Sequence, residues 1–263
     1  MTAAPVDVVT TRHRRILELA RQAGSVSVDL LAGELGVTPQ TIRKDLNFLA
    51  RRSMLSRVHG GAIVTSGVDN LDHATRRNVA SGAKAEIGAA AAALVPNGAS
   101  LFINIGTTTE AIAEQLADHS DLLVITNNLN VVDILSPCPT FEVIAAGGRV
   151  RASDRAIVGA LAMDFIRGFK VDYALIGASA LDSDGTLLDF DVDEVRVSQS
   201  IIAQARKVIL AVDQSKFGRP APVRIAGLEA IDYLVTDRLA DHDLARACRD
   251  AGVQVVETSP WPT

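Results

Sequence analysis

Apolar residues recur at helical spacing near the start of the chain, where Ile16, Leu17, Leu19 and Ala20 share one face of a helix predicted over residues 12–23. Gly24 predicts its end. Ser27 then suits an N-cap, with Asp29 in the first turn of "VDLLAGEL" and Leu30, Leu31 and Leu35 as its apolar positions. Gly36 supplies a turn. Thr38 is a good N-cap and Pro39 fits the first position of a third helix running to about Arg52. Beyond it, "LSRV" and "AIV" read as two short strands around the hairpin turn His59-Gly60-Gly61. Three short helices and a hairpin predict a winged helix-turn-helix over residues 1–64.

Residues 65–80 show no apolar period and are read as a linker. From 81 to 257 the pattern alternates. An Ala-rich helix over about 82–94 precedes the strand "SLFINI", which ends at "GTTT" before a helix over about 109–118. "LLVIT", "FEVIAA", "YALIGAS", "VILAV", "YLVTD" and "VQVV" read as further strands, with helices at "LNVVDIL", near 192–205 and near 241–250. β-rich apolar runs alternating with helices predict a Rossmann-like α/β domain, its parallel sheet covered on both faces. Residues 258–263 are expected to form a loosely ordered tail.

Charge sharpens this division. Residues 1–61 carry nine basic and five acidic residues, net +4; the remainder carries 17 and 26, net −9, within an overall −5. A basic first domain on an acidic second one fits a nucleic-acid reader joined to a separate module. No apolar run reaches the roughly 18 residues of a membrane span, so no membrane partner is expected. The first residues lack an apolar segment after a basic start, so no secretory leader is expected. Cys138 and Cys248 are far apart, which gives neither a disulfide framework nor a metal motif and fits a cytoplasmic protein.

The third helix carries the first candidate chemistry. At 100° per residue, Ile42, Leu46, Leu49 and Ala50 fall on one face and Gln40, Arg43, Lys44, Asn47 and Arg51 on the opposite one. Arg can read guanine and Gln adenine through paired hydrogen bonds, while Lys44 and Arg51 suit phosphates. The helix start, with Thr38 and Thr41, can also meet a phosphate. Arg57 and His59 in the wing can reach the backbone or minor groove. Asp45 lies to one side, and Phe48 is expected to pack on the wing or on a partner subunit. Double-stranded operator DNA is the expected partner.

The second candidate site lies at predicted strand ends. Gly106-Thr107-Thr108-Thr109 joins a strand to a helix, where backbone N–H groups and hydroxyls can hold a phosphate. It matches neither nucleotide fingerprint, and no cofactor is expected. Asn127-Asn128 and Gly147-Gly148 end two other strands, and open α/β sheets bind ligands at such carboxyl ends. Lys216 follows "VILAV". Asp189, Asp191 and Glu194 form an acidic cluster at a helix start, suited to ligand hydroxyls or to the helix dipole.

These motifs together carry a resemblance. The segment "RHRRILELARQAGSVSVDLLAGELGVTPQTIRKDLNFLARRSMLSRVHGGA" is similar to the DNA-binding domain of DeoR-family bacterial transcription regulators. "FINIGTTTEAIAEQL", "VITNNLNVVDIL", "AAGGRVRASDRAIVG", "DSDGTLLDFDVDEVR" and "VDQSKFGR" resemble the sensor domain of the same family, in its glycerol-3-phosphate regulon branch. The resemblance spans about residues 10–240. It implies a homodimeric or homotetrameric repressor released from DNA by a phosphorylated small molecule, with glycerol 3-phosphate ahead of other sugar phosphates. It places Lys216 in the effector site, and Asn104 beside it. Two positions depart from the family: Asn104 stands where an acid is frequent, and Ala180 where Gly is. The family's sensor domain resembles sugar-phosphate isomerases, so an isomerase-like enzyme is the rival reading. Enolisation needs a carboxylate base beside the sugar carbon, which Asn104 cannot supply. No catalytic residue is therefore assigned.

Overall fold

A computed structural model describes residues 11–23, 25–51, 56–58, 61–63, 73, 77 and 80–258. The chain forms two compact units, Met1–Leu71 and Asp72–Thr263.

In the first unit, α1 (Thr11–Ala23), α2 (Val28–Leu35) and α3 (Pro39–Arg51) are built as the sequence predicts. The Ser27 hydroxyl accepts the Leu30 N–H at 3.1 Å. Gly36 turns the chain at φ 62°, a left-handed conformation that costs glycine nothing. Ile16, Leu17, Leu31, Ile42, Leu46 and Leu49 meet in one small core. The hairpin forms from β2 (Ser56–Val58) and β3 (Gly61–Ile63). One element was not expected. Residues Ser25–Ser27, read as turn and cap, form a strand β1 that pairs antiparallel with β3, giving the order β1-β3-β2. Val26 between two serines buries one side of this strand, a signal three residues long and too short for periodicity to show.

The second unit is a doubly wound α/β fold. Its elements are α4 (Ser81–Ala92), β4 (Ser100–Ile103), α5 (Thr107–Leu116), β5 (Leu123–Thr126), α6 (Leu129–Leu135) and β6 (Glu142–Ala145). Then follow β7 (Arg149–Arg151), β8 (Ala156–Val158), α7 (Ala160–Arg167), β9 (Val171–Ile176), β10 (Ala180–Leu181), β11 (Leu187–Asp189) and α8 (Val192–Ala203). The chain ends with β12 (Ala205–Ala211), β13 (Val223–Ala226), β14 (Tyr233–Thr236), α9 (His242–Asp250) and β15 (Gln254–Glu257).

Seven strands make a parallel sheet in the order β15-β14-β12-β9-β4-β5-β6. Alternate residues serve opposite faces, as a strand's period of two requires. Leu101 and Ile103 of β4 join Ile87, Ile112 and Val131 of α4, α5 and α6, while Phe102 joins Ile166, Ile201 and Leu244 of α7, α8 and α9. Both faces are thus covered, which is why the strands read as continuous apolar runs. No described helix is long and apolar enough to cross a membrane.

Three further departures matter for the site. Helix α5 begins at Thr107, two residues before its predicted start. The segment after Gly148 forms the antiparallel hairpin β7–β8 and then α7. A small sheet, β10-β11-β13, stands apart from the main one. Ala180, where the family often has Gly, is buried in β10. These pieces are two to eight residues long, too short for their pattern to separate them from loop.

From β4 the chain steps outward to β5 and β6, then returns to β9 on the other side of β4 and continues outward through β12, β14 and β15. The reversal between β4 and β9 is the topological switch point, where an open sheet leaves a crevice at its carboxyl edge.

Candidate functional site

In α3 the polar face is presented as expected. Gln40, Arg43, Lys44 and Asn47 are exposed, while Ile42 and Leu46 are fully buried. Thr38 acts locally: its hydroxyl accepts the Thr41 N–H at 3.2 Å and lies 2.9 Å from the Thr41 hydroxyl. Arg51 and Arg57 are described in backbone only, and His59 lies outside the described residues.

Asp45, the one acid of α3, is turned away from the exposed polar face. It is only 6% exposed and is held by α1, with Arg12 Nε at 2.6 Å, Arg12 Nη2 at 3.1 Å and His13 Nε2 at 3.1 Å. Its charge is thus met by Arg12 inside the unit and is not added to the exposed face. Phe48 stacks on the His13 ring at 4.4 Å between centroids. The aromatic thus has a partner on α1 within its own unit.

In the second unit a cleft of about 480 Å³, open mouth included, lies at the carboxyl ends of β4, β9 and β12. Gly106, Thr107, Thr108, Thr109, Asp189, Glu194 and Lys216 line it, although the chain separates them by up to 110 positions. Gly106 adopts φ 140°, ψ 150°, which only glycine tolerates, and lets the chain enter α5 directly from the strand. The first bond inside α5 runs from the Glu110 N–H to the Gly106 carbonyl at 3.0 Å. The N–H groups of Thr107, Thr108 and Thr109 thus have no acceptor within the helix and carry the positive end of its dipole. The Thr109 hydroxyl is committed, donating towards the carbonyls of Asn104 and Gly106 at 2.8 Å each, so this residue offers its backbone. Lys216 sits in a 3-10 turn capped by Asp213.

Five expected residues are not brought to the cleft. Asn104 is buried with its amide turned inward: Nδ2 donates to Ser198 Oγ at 2.8 Å and Oδ1 accepts the Ile105 N–H at 2.8 Å. It pins the end of β4 to α8. Asn127 donates to the Ile157 carbonyl at 3.3 Å, and its buried Oδ1 has no partner among the described residues. Asn128 caps α6 by accepting the Asn130 N–H at 2.9 Å. Gly148 lies against β8, where a Cβ would stand 3.0 Å from Ile157 Cγ2. Gly147 ends the same strand outside the cleft lining. These two strand ends lie on the β5–β6 side, away from the switch point.

Sequence reasoning missed several residues. Asp154 and Ser179 line the cleft. Arg151 joins the hairpin to α8, reaching Asp191 and Glu194 at 2.7 Å each and Asp154 Oδ1 at 2.9 Å. Burial opposes its charge, yet the carboxylates of Asp154 and Glu194 outweigh that and raise its pKa. Glu194 is thus held by Arg151, and Asp191 caps α8 by accepting the N–H groups of Asp193 and Glu194. A second buried centre surrounds Glu110, 2% exposed. His73 Nε2 lies 2.8 Å from its Oε1, which also accepts Asn130 Nδ2 at 2.8 Å and Asn128 Nδ2 at 3.2 Å, while Oε2 has no partner among the described residues. Burial alone would raise the Glu110 pKa, but these donors and the His73 charge outweigh it and hold the carboxyl below its usual range. The acid directly after "GTTT" was the one sequence signal for this centre.

A helix-turn-helix reader joined to an α/β unit with a ligand cleft is the build of a ligand-responsive transcription regulator. Residues 12–68 match the DeoR-like helix-turn-helix domain and residues 79–238 the DeoR C terminal sensor domain. The chain belongs to the DeoR family. It is 42% identical over 246 residues to the glycerol-3-phosphate regulon repressor of Escherichia coli K12, covering 94% of this chain and 98% of that one. It is 44% identical over 225 residues to the repressor of the same name from Haemophilus influenzae, covering 86% and 88%. Identity to the transcriptional repressor CsqR of Escherichia coli K12 is 36% over 245 residues, covering 93% and 94%. These relatives are repressors, not enzymes. A solved ribose 5-phosphate isomerase A from Neisseria gonorrhoeae overlaps 51% of this chain and 52% of its own, with a TM-score of 0.38 and 12% identity, too slight an overlap to bear on activity.

Proposed function

We propose that this DNA-binding transcriptional repressor leaves its operator when a small phosphate monoester, glycerol 3-phosphate first among them, occupies the cleft at the carboxyl ends of β4, β9 and β12. The phosphate sits on the N–H groups of Thr107, Thr108 and Thr109 and faces Lys216. The hydroxyl end lies towards Asp154, Asp189 and Ser179, with Glu194 held by Arg151 at the rim. The observation that carries this reading is the convergence of an unsatisfied helix start and a lysine in one cleft at the sheet's switch point. The names of the two relatives above support glycerol 3-phosphate as the effector.

Operator contact falls to Gln40, Arg43, Lys44, Asn47 and Arg51, with Thr38 and Thr41 at the helix start and Arg57 and His59 in the wing. Residues 65–80 join reader and sensor. Cytoplasmic homodimers or homotetramers would set pairs of α3 helices on two half-sites. A switch from mostly bound to mostly free needs the effector to prefer the released form by ~10⁴-fold, ~5.5 kcal/mol.

The test is a thermal-shift panel of phosphate monoesters repeated with operator DNA. Glycerol 3-phosphate is expected to stabilise the protein and release the DNA. Lys216→Ala is expected to keep operator affinity and lose release. Normal release from that variant removes Lys216 from the site, and no shift with any monoester removes the cleft as a phosphate site.

A further inference from the structure

Helix α5 has a second partner besides the cleft. Its Glu110 holds His73 at 2.8 Å, and its Glu114 lies 3.6 Å from Arg77. The two acids are four residues apart, and so are the two basic residues. The side chains of His73 and Arg77 thus meet acids one turn of α5 apart. The two pairs differ in weight. Arg77 and Glu114 are more than half exposed, and such a pair contributes little. The His73 and Glu110 side chains are 13% and 3% exposed, so theirs is a buried contact, and Asn128 and Asn130 reinforce it from α6.

The same first turn of α5 that presents N–H groups to the cleft therefore ends, at Glu110, on the grip that holds His73. His73 lies two residues beyond the last residue of the DNA-binding unit. Adding a phosphate dianion at the start of α5 places negative charge within one turn of Glu110. Arg77, and His73 in its protonated form, are then held more tightly, because the added charge is screened less inside the protein than in water. By linkage, whatever tightens that grip must itself bind more tightly when the grip is closed.

We propose that α5 is the coupling element of this repressor: an anion at its first turn tightens the hold of Glu110 and Glu114 on His73 and Arg77, and so repositions the chain leading to the DNA-binding unit. His73 is a positioning residue, touching neither effector nor DNA. The proposal rests on the phosphate reading of the cleft for its physiological trigger, but its test does not.

The test is a double-mutant cycle read as operator affinity of the full chain without effector. Thr107→Asp places a fixed negative charge at the start of α5 in lieu of phosphate. It is expected to weaken operator binding about fivefold or more, the lower end of ordinary allosteric coupling. His73→Ala alone is expected to leave operator affinity unchanged, and in the double variant the effect of Thr107→Asp is expected to vanish. His73→Gln, which keeps a donor to Glu110, is expected to restore part of it; a purely structural role for His73 would lower the melting midpoint without altering the cycle. Should His73→Ala fail to fold, the cycle is read with His73→Gln and Arg77→Ala, each expected to weaken the Thr107→Asp effect. An effect of Thr107→Asp that is absent, or the same with and without His73, overturns the proposal. Glycerol 3-phosphate added to the wild-type complex is the separate arm. Failure to release DNA there, with the cycle intact, removes the effector reading and leaves the coupling element standing.

Discussion

The polar face of α3 and the cleft at the carboxyl edge of the main sheet are built in opposite ways. The first is one stretch of chain: within α3, Gln40, Arg43, Lys44 and Asn47 are exposed and their spacing alone puts them on one side. The second is assembled from Gly106, Asp189 and Lys216, which no periodicity relates. A surface contact can be written into a single helix, because a helix repeats every 3.6 residues. A cleft that must enclose a ligand needs several strand ends at once, and only the sheet's winding decides which ends meet.

Experiments that separate the two units put this comparison at risk. The largest effect is expected from Leu46→Ala. This side chain is fully buried in the small core of the first unit, and its loss should cost about 2–5 kcal/mol. Operator binding should be lost while the melting transition of the second unit stays in place; a downward shift of both transitions would show that the units do not fold independently. Next comes Arg43→Ala, expected to cost about 1–3 kcal/mol of operator affinity and to relax base preference at one position. An unchanged preference across a substituted operator panel would confine Arg43 to the backbone. Smaller is Phe48→Leu, which removes the stack on His13 and should cost about 0.5–1.5 kcal/mol. Chemical denaturation of the first unit reads it, and a null result would mean that the stack on His13 adds nothing to the apolar core and the Asp45 contacts that hold α3.

The mildest effect is expected in acid and in the second unit. The Glu110 carboxyl has its pKa lowered in the folded state, so its stabilisation is fully present above the unfolded value, about 4.5, and is lost as pH falls through the lower folded value. The melting midpoint of the second unit should therefore drop on acidification below about pH 4.5, and less so in Glu110→Gln. Equal acid sensitivity in the two proteins would remove Glu110 as the cause.

The sequence was most legible where one short segment carries the whole signal. Ser27, Gly36, Thr38 and Pro39 mark helix ends by local hydrogen bonding and backbone preference, and all act where expected. Gly106 was legible for the same reason. Asn127-Asn128 and Gly147-Gly148 misled because a polar or glycine-rich strand end looks the same beside the switch point or away from it. Asn104 misled because its position next to "IGTTT" does not tell on which side of the sheet its amide falls; it turns to Ser198 of α8. Phe48 was legible as an aromatic needing cover, but its cover is a histidine 35 residues earlier in the chain.

The amino-acid sequence by itself determined two units of opposite charge, the three helices and hairpin of the first, the contents of its polar face and the glycine that opens α5. Those features depend on neighbours within a few residues. The tertiary structure alone decided which strand ends form the cleft, that Arg151 binds three carboxylates at its rim, that Asp45 is turned inward and neutralised, and that Glu110 grips His73. Apart from the Arg151–Asp154 contact, each of these joins groups 20 or more positions apart or depends on which face of a sheet a side chain takes. Strand order and burial set those relations, and local chain preferences leave them open.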